Sequence, residues 1–197
     1  MQLHDLIAES AEYVRKVFLQ YQTEDLVYHN LHHTESIVNL VHEIAKHYSL
    51  NETDLFILTI SAWFHDIGHL FDYAGLHEEK GVCIMREYYT RKEVEESVIS
   101  SIESCIHATK LPQSPKNLIE EIMCDADLYH LGTEDFLKTN ESVRKELELR
   151  YKTNIGDTKW TKSAIDFLQN HQYFTSYCQQ LLSEGQVKNI QLLLKLL

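Results

Sequence analysis

His65 and Asp66 close the longest apolar run of the chain, Leu55-Phe56-Ile57-Leu58-Thr59-Ile60-Ser61-Ala62-Trp63-Phe64, and Ile67, Gly68 and His69 follow them. Two ionisable groups at the end of so apolar a segment are expensive to bury unpaired. A bound cation offsets that cost, because it keeps an aspartate ionised and a histidine neutral. The doublet therefore reads first as part of a metal site. Further ligands are available in Tyr28-His29-Asn30-Leu31-His32-His33-Thr34 upstream and in Cys124-Asp125-Ala126-Asp127-Leu128 downstream. The resulting order of His, His-Asp and Asp supplies nitrogen and oxygen donors suited to a divalent metal that keeps positions open for water and substrate.

Such ligands need elements to hold them. Six Gly and two Pro in 197 residues leave few breakers, turn clusters are sparse, and no segment alternates strictly, so the chain reads as all-α. The apolar pattern predicts a first helix over 3–21, with Leu6, Ile7, Val14, Val17 and Phe18 on its stripe, and a loop from Thr23 to Leu31. A second helix uses Ile37, Leu40, Val41, Ile44 and Tyr48 as its inner face. Asn51-Glu52-Thr53-Asp54 resembles an N-terminal cap for a third helix, apolar nearly all round and hence central and buried. After a loop rich in glycine and aromatics, helices are expected over 76–89, 92–109 and 116–131, with Pro112 and Pro115 between the last two. Three more follow over 134–151, 159–170 and 174–197, the last broken near Gly185. The length suits one domain, residues 1–197, with the helices from about 134 onward packed on a metal-binding core.

Helix phase, at about 100° per residue, sorts the candidates. His33 projects four residues before Ile37 on the inner face of the second helix, and His32 points about 100° away. In the helix from Lys116, Ile119, Ile122, Met123 and Ala126 form the inner stripe. Asp127 lies beside that stripe and Asp125 well off it, so Asp127 is the favoured ligand and Asp125 a solvated or supporting group. In the helix over 76–89, Glu78 shares a side with Val82, Met85 and Tyr89, Glu79 sits at the edge, and His77 points away. A carboxylate at Glu78 would position the attacking water or take its proton. Thr109 falls on the stripe of Val98, Ile102, Cys105 and Ile106, with Lys110 at its edge, within reach of a phosphate, and His107 off it. Among twelve histidines, any single one is more often a surface or hydrogen-bonded core residue than a ligand. A Glu78-Glu79 pair is most often a solvated helix face. The case for a site rests on three helices each aiming a ligand type inward at positions that their own apolar stripes select.

Net charge of −12 with His neutral argues against nucleic acid as the main partner, since affinity there comes mostly from phosphate neutralisation by Lys and Arg. It leaves room for a small phosphorylated substrate whose charge a metal neutralises locally. Cys83, Cys105, Cys124 and Cys178 lie far apart with no Cys-x-x-Cys and read as reduced thiols. No apolar stretch reaches the length of about 18 residues that a membrane span needs. The N-terminus has neither a basic start nor an apolar signal core, and a cytoplasmic protein with no membrane partner is expected.

These residues resemble the HD superfamily of metal-dependent phosphohydrolases, an all-α group whose pattern of His, His-Asp and distant Asp maps onto His33, His65, Asp66 and Asp127. More narrowly, the chain is similar to a bacterial branch with a Tyr-His-Asn-x-x-His opening, here Tyr28 to His33. That branch tends to have a Glu-Glu-x-Ser-Ala-like segment, here Glu78-Glu79-Lys80-Gly81-Val82, and an Ala-Thr-Lys segment, here Ala108-Thr109-Lys110. Asp125 to Gly132 and His171 to Thr175 resemble it too, so the likeness spans roughly residues 28–175. The chain departs from it where Gly81-Val82 replaces a small Ser-Ala pair. It departs again where His69 makes His-Asp-Ile-Gly-His, a form closer to two-metal branches, in which His69, His77 or His107 would help to hold a second ion.

The resemblance implies hydrolysis of a phosphomonoester or phosphodiester, with a nucleotide or similar small phosphorylated molecule as the favoured substrate. The ligands would be His33, His65, Asp66 and Asp127, around a divalent Mg, Mn, Ni, Zn, Co or Fe ion. Glu78 would handle the water, Lys110 and His69 the phosphate charge, and Asn30 would orient a ligand or contact phosphate. Two further readings stand beside it: a nucleotide-binding regulatory module without turnover, and a two-metal phosphodiesterase or oxidase on the same scaffold. Neither substrate identity nor oligomeric state follows from the sequence.

Overall fold

The computed structural model describes residues 3–71 and 76–197, and no strand occurs among them. Part of the glycine- and aromatic-rich loop after the doublet lies outside the described residues. The chain divides into two compact units. One comprises the chain up to Thr23 with His29–Asp127, the other Glu24–Tyr28 with Leu128–Leu197.

The first unit is built around α3 (Glu52–Phe64), in which every residue from Phe56 to Phe64 is buried. Its start is fixed by a capping box: Asp54 N donates to Asn51 Oδ1 at 2.9 Å, and Asn51 N donates to Asp54 Oδ2 at 3.2 Å. Around α3 pack α1 (Leu3–Tyr21), α2 (Leu31–Ala45), α4 (His77–Tyr89), α5 (Glu96–Ala108) and α6 (Leu118–Asp127). A helix wrapped on so many sides has no polar face to keep, which is why its sequence is apolar all round. The first helix buries Leu6, Val14 and Phe18 of its predicted stripe and leaves Ile7 and Val17 half-buried.

Three boundaries differ from the sequence pattern in this unit. Helix α2 stops at Ala45, so Tyr48 lies beyond it. Helix α5 starts at Glu96, because turn hydrogen bonds from Lys92 N to Tyr89 O and from Val94 N to Lys92 O occupy the preceding segment. Helix α6 ends at Asp127, and Tyr129–Gly132 form a separate 3-10 turn.

In the second unit that turn packs against α7 (Phe136–Tyr151) and α9 (Ser176–Leu194), and α9 packs on α8 (Asp157–Asn170). Asn189 donates through Nδ2 to the carbonyls of Leu131 and Thr133, both at 2.9 Å. Helix α9 runs unbroken through Gly185, against the expected break. A Cβ there would stand 1.9 Å from the Gly132 carbonyl oxygen, so this mid-helix glycine serves close packing and does not end the helix. Among the described residues no disulfide links the four cysteines, of which only Cys83 is exposed, and no helix is long and apolar enough to cross a membrane.

Candidate metal centre

All the predicted ligands belong to the first unit. His33 enters from the first turn of α2. Asn30 is the N-cap, and its Oδ1 accepts from His33 N at 3.1 Å, so the Asn-x-x-His spacing is a cap bonded to the ligand's own backbone. That cap gives Asn30 a positioning part in the site. His65 is the C-cap of α3, and its backbone N–H still closes the last helical bond, to Ser61 O. Asp66 begins the 3-10 turn Ile67–Leu70. Asp127 is the final residue of α6. Three helix ends thus converge.

One donor atom from each of His33, His65, Asp66 and Asp127 lies within 4.8 Å of all the others. Asp66 Oδ2 stands 3.2 Å from His33 Nε2 and 3.2 Å from His65 Nε2. Asp127 Oδ1 stands 3.7 Å and 3.6 Å from the same two nitrogens. His65 is fully buried and Asp66 nearly so. The Nδ1 of His65 lies 2.9 Å from the Ala62 carbonyl. A carbonyl only accepts, so Nδ1 carries the hydrogen and Nε2 is the nitrogen turned to the carboxylates. Both His65 Nε2 and Asp66 Oδ2 are buried without an aligned hydrogen-bond partner among the described residues.

Electrostatics follow from this crowding. Burial opposes charge on His33, but the carboxylates of Asp127 and Asp66 outweigh it and raise its pKa. The same contest, with Asp66 foremost among the opposing groups, lifts His65 well above its ordinary value. Burial likewise works against ionised Asp66 and Asp127, and the neighbouring imidazoles hold both below the usual carboxylate range. Without a cation, protons are what neutralise this cluster. Two imidazole nitrogens and two carboxylate oxygens, converging and poorly matched as hydrogen-bond partners, fit a divalent ion in place of those protons.

A second layer adjoins Asp66. Its Oδ1 lies 3.8 Å from His69 Nε2 and 3.9 Å from His77 Nε2. The rings of His29, His69 and His77 form a stack, with centroids 4.0 Å and 3.8 Å apart. His77 does not point away, as its helical phase predicts. It is the first residue of α4, where side chains lean beyond the helix end. Gly68 brings that end close: a Cβ on it would meet the His77 carbonyl oxygen at 1.9 Å. Gly81 lies against the end of α3, a Cβ there standing 2.8 Å from Phe64 O.

Glu78 is buried, with Oε1 3.3 Å from His77 Nε2 and Oε2 without a hydrogen-bond partner among the described residues. Glu79 faces outward and pairs with Lys110 at 2.5 Å, both side chains partly exposed. Lys110 also holds Glu79 below its ordinary pKa. His107 faces Glu103 at 3.7 Å and joins neither histidine group. Thr109 is buried, with its hydroxyl donated to Ile106 O. Asp125 is fully buried, so of the two expected roles the solvated one is excluded and the supporting one is left, because the buried face of α6 runs without a gap from Ile122 to Ala126.

His29 escaped the periodicity argument because it precedes the N-cap and belongs to no helix face. A spacing signal was present: His29/His33 and His65/His69 are both His-x-x-x-His pairs.

The family model described as HD domain matches residues 30–132. The fold is similar to a crystal structure, at 1.45 Å resolution, of a predicted HD superfamily hydrolase from an uncultured Thermotogales bacterium. The TM-score is 0.65 at 17% identity, covering 100% of this chain and 97% of that one. No curated protein sequence matches the chain.

Proposed function

The chain belongs to the HD-domain family, and from that starting point we propose that it is a metal-dependent phosphohydrolase acting on a phosphomonoester or phosphodiester of a nucleotide or similar small molecule. The observation that carries the reading is the convergence of four donor atoms, from His33, His65, Asp66 and Asp127, in a largely buried cluster. These four residues would hold one divalent cation, drawn from Mg, Mn, Ni, Zn, Co or Fe. When bound, the cation supplies Lewis acidity, lowering the pKa of water and polarising a phosphoryl oxygen.

The chain's own residues do the rest. Glu78 takes the proton of the attacking water on Oε2, which has no hydrogen-bond partner among the described residues, while His77 beside Oε1 fixes the carboxylate's orientation. As the new P–O bond forms and the leaving oxygen departs, charge grows on the phosphoryl oxygens. Lys110 and His69 are the cations and donors assigned to that charge. Lys110 must then exchange Glu79 for phosphate, and an exposed ion pair costs little to break, about 1 kcal/mol or less. His65 keeps Nε2 toward the cluster because Ala62 O holds Nδ1–H. The expected compartment is the cytoplasm.

The test is turnover on a panel of nucleotides and other phosphoesters with each of the six metals added. Metal-dependent release of phosphate or of a phosphomonoester, lost in Asp66→Ala, is the expected result. No hydrolysis across the panel by protein shown to be metal-loaded would overturn the reading.

A further inference from the structure

Phe71 is the C-cap of the 3-10 turn Ile67–Leu70, which follows directly on the His65-Asp66 doublet. Its ring meets that of Tyr21, the last residue of α1, at a centroid distance of 5.1 Å and an angle of 61°. Rings so tilted do not cover each other's faces as a parallel stack would, and Phe71 and Tyr21 stay 40% and 45% exposed. The ammonium of Lys80, on α4, stands 5.9 Å from the centroid of the Phe71 ring. We propose that Phe71 and Tyr21 form a platform on which the base of a nucleotide substrate stacks, with Lys80 pairing with its phosphate.

Continuity with the metal centre supports this. His69, two residues before Phe71, faces Asp66 Oδ1 at 3.8 Å. His77 stacks on His69 at 3.8 Å and lies three residues before Lys80 on α4. Residues three apart on a helix are surface neighbours, so a line of contacts runs from Asp66 through the two imidazoles to Lys80 and the Phe71 ring. All of these residues belong to the first unit. A single exposed apolar side chain is ordinary, but here two adjoining aromatics stand open along that line, with a cation beside them. A nucleotide matches this order, because a sugar joins its anionic end to a flat base. Every base has a π face, so an aromatic platform accepts each of them. The inference rests on the phosphohydrolase reading for the place of the phosphate, whereas stacking of the base is read from binding alone.

Metal-loaded protein is titrated by calorimetry with the 5′-methylenephosphonate analogues of adenosine and uridine, whose P–C bond resists hydrolysis, and with the matching analogue of ribose, which has no base. In the wild type both nucleoside analogues should bind roughly 5- to 150-fold more tightly than the ribose analogue, the scale of one base stacked on an aromatic side chain. Phe71→Ala should bring that ratio close to one, and Phe71→Trp should keep it. Lys80→Gln should weaken all three ligands together and leave the ratio as it was. Circular dichroism and elemental analysis check that each variant keeps its fold and its ion. Equal affinity for the nucleoside and ribose analogues in the wild type, a ratio unchanged by Phe71→Ala, or no binding of any analogue would overturn the platform. Phosphoester hydrolysis by the same protein would then leave the phosphohydrolase reading in place. A ratio that depends on Phe71, in metal-loaded protein that hydrolyses no phosphoester, would do the reverse. Unchanged affinities in Lys80→Gln would overturn the part given to Lys80.

Discussion

Two groups of histidines meet at Asp66, and they are held in different ways. His33 and His65 sit within the hydrogen-bonded ends of α2 and α3: the Asn30 cap holds the His33 backbone, and Ala62 O holds the His65 ring. His29, His69 and His77 sit before a helix, in a 3-10 turn and at the first residue of α4, and their rings stack on one another. The first group is buried and its protonation is coupled to two carboxylates. The second is partly exposed, and its His69 and His77 face Asp66 through Oδ1. A tightly preorganised group suits a cation that stays, and a looser, wetter group suits a substrate oxygen that exchanges.

The largest effect is expected from the residue both groups share. Asp66→Ala should remove the cation held with His33, His65 and Asp127 and abolish phosphoester hydrolysis, and elemental analysis with a turnover assay checks it. Wild-type metal content in that variant would break the comparison at its root. Next, Asp127→Ala should strip the first group of metal. Asp125→Ala should keep metal but lower the stability of the metal-free protein by about 1–3 kcal/mol in denaturant unfolding, the scale for disturbing a buried polar group's partners. Retained metal in Asp127→Ala would separate that residue from the centre.

Glu78→Gln should preserve fold and metal while lowering turnover by about 10²–10⁴-fold, the scale for removing a general base. Glu79→Gln, which loses only a surface pair with Lys110, should change turnover far less. Steady-state kinetics on metal-loaded variants decides between them, and a large loss for Glu79→Gln alone would move the role outward.

What the sequence makes legible follows the same division. Inside regular helices, the 3.6-residue period carries phase, so the stripes of α2 and α4 select His33 and Glu78 for the interior, and that of α6 sets Asp127 at its edge. The all-α class and the cap at Asn51 are equally readable, because they depend on local composition and spacing. Phase fails where helical geometry stops. His77 leans past the end of α4, His29 precedes its cap, and the α6 pattern continues into a 3-10 turn after Asp127. Asp125 shows a further limit, because neighbours on several sides of α6 widen its buried face beyond a single stripe. Gly185 resembles a helix breaker until its approach to Gly132, distant in sequence, is known.

A smaller effect should appear in stability against pH. In the metal-free protein the raised pKa values of His33 and His65 add stability in full below their ordinary value of 6.5, and this is lost as pH rises through the raised folded values. The lowered values of Asp66 and Asp127 add stability in full above 3.8, and this is lost as pH falls through the lowered folded values. Their joint contribution is therefore greatest between 3.8 and 6.5. Denaturant unfolding should show metal-free wild type losing stability as pH rises above 6.5, with a smaller loss in His33→Gln. In metal-loaded protein the cation replaces the protons, and the decline should vanish.

The most direct test of the account is a crystal structure of metal-loaded protein with anomalous diffraction recorded at the absorption edge of the bound element. The account predicts an anomalous peak ligated by His33 Nε2, His65 Nε2, Asp66 and Asp127 Oδ1. Metal-loaded crystals with no peak among these four residues, or with their only peak elsewhere on the chain, would contradict it.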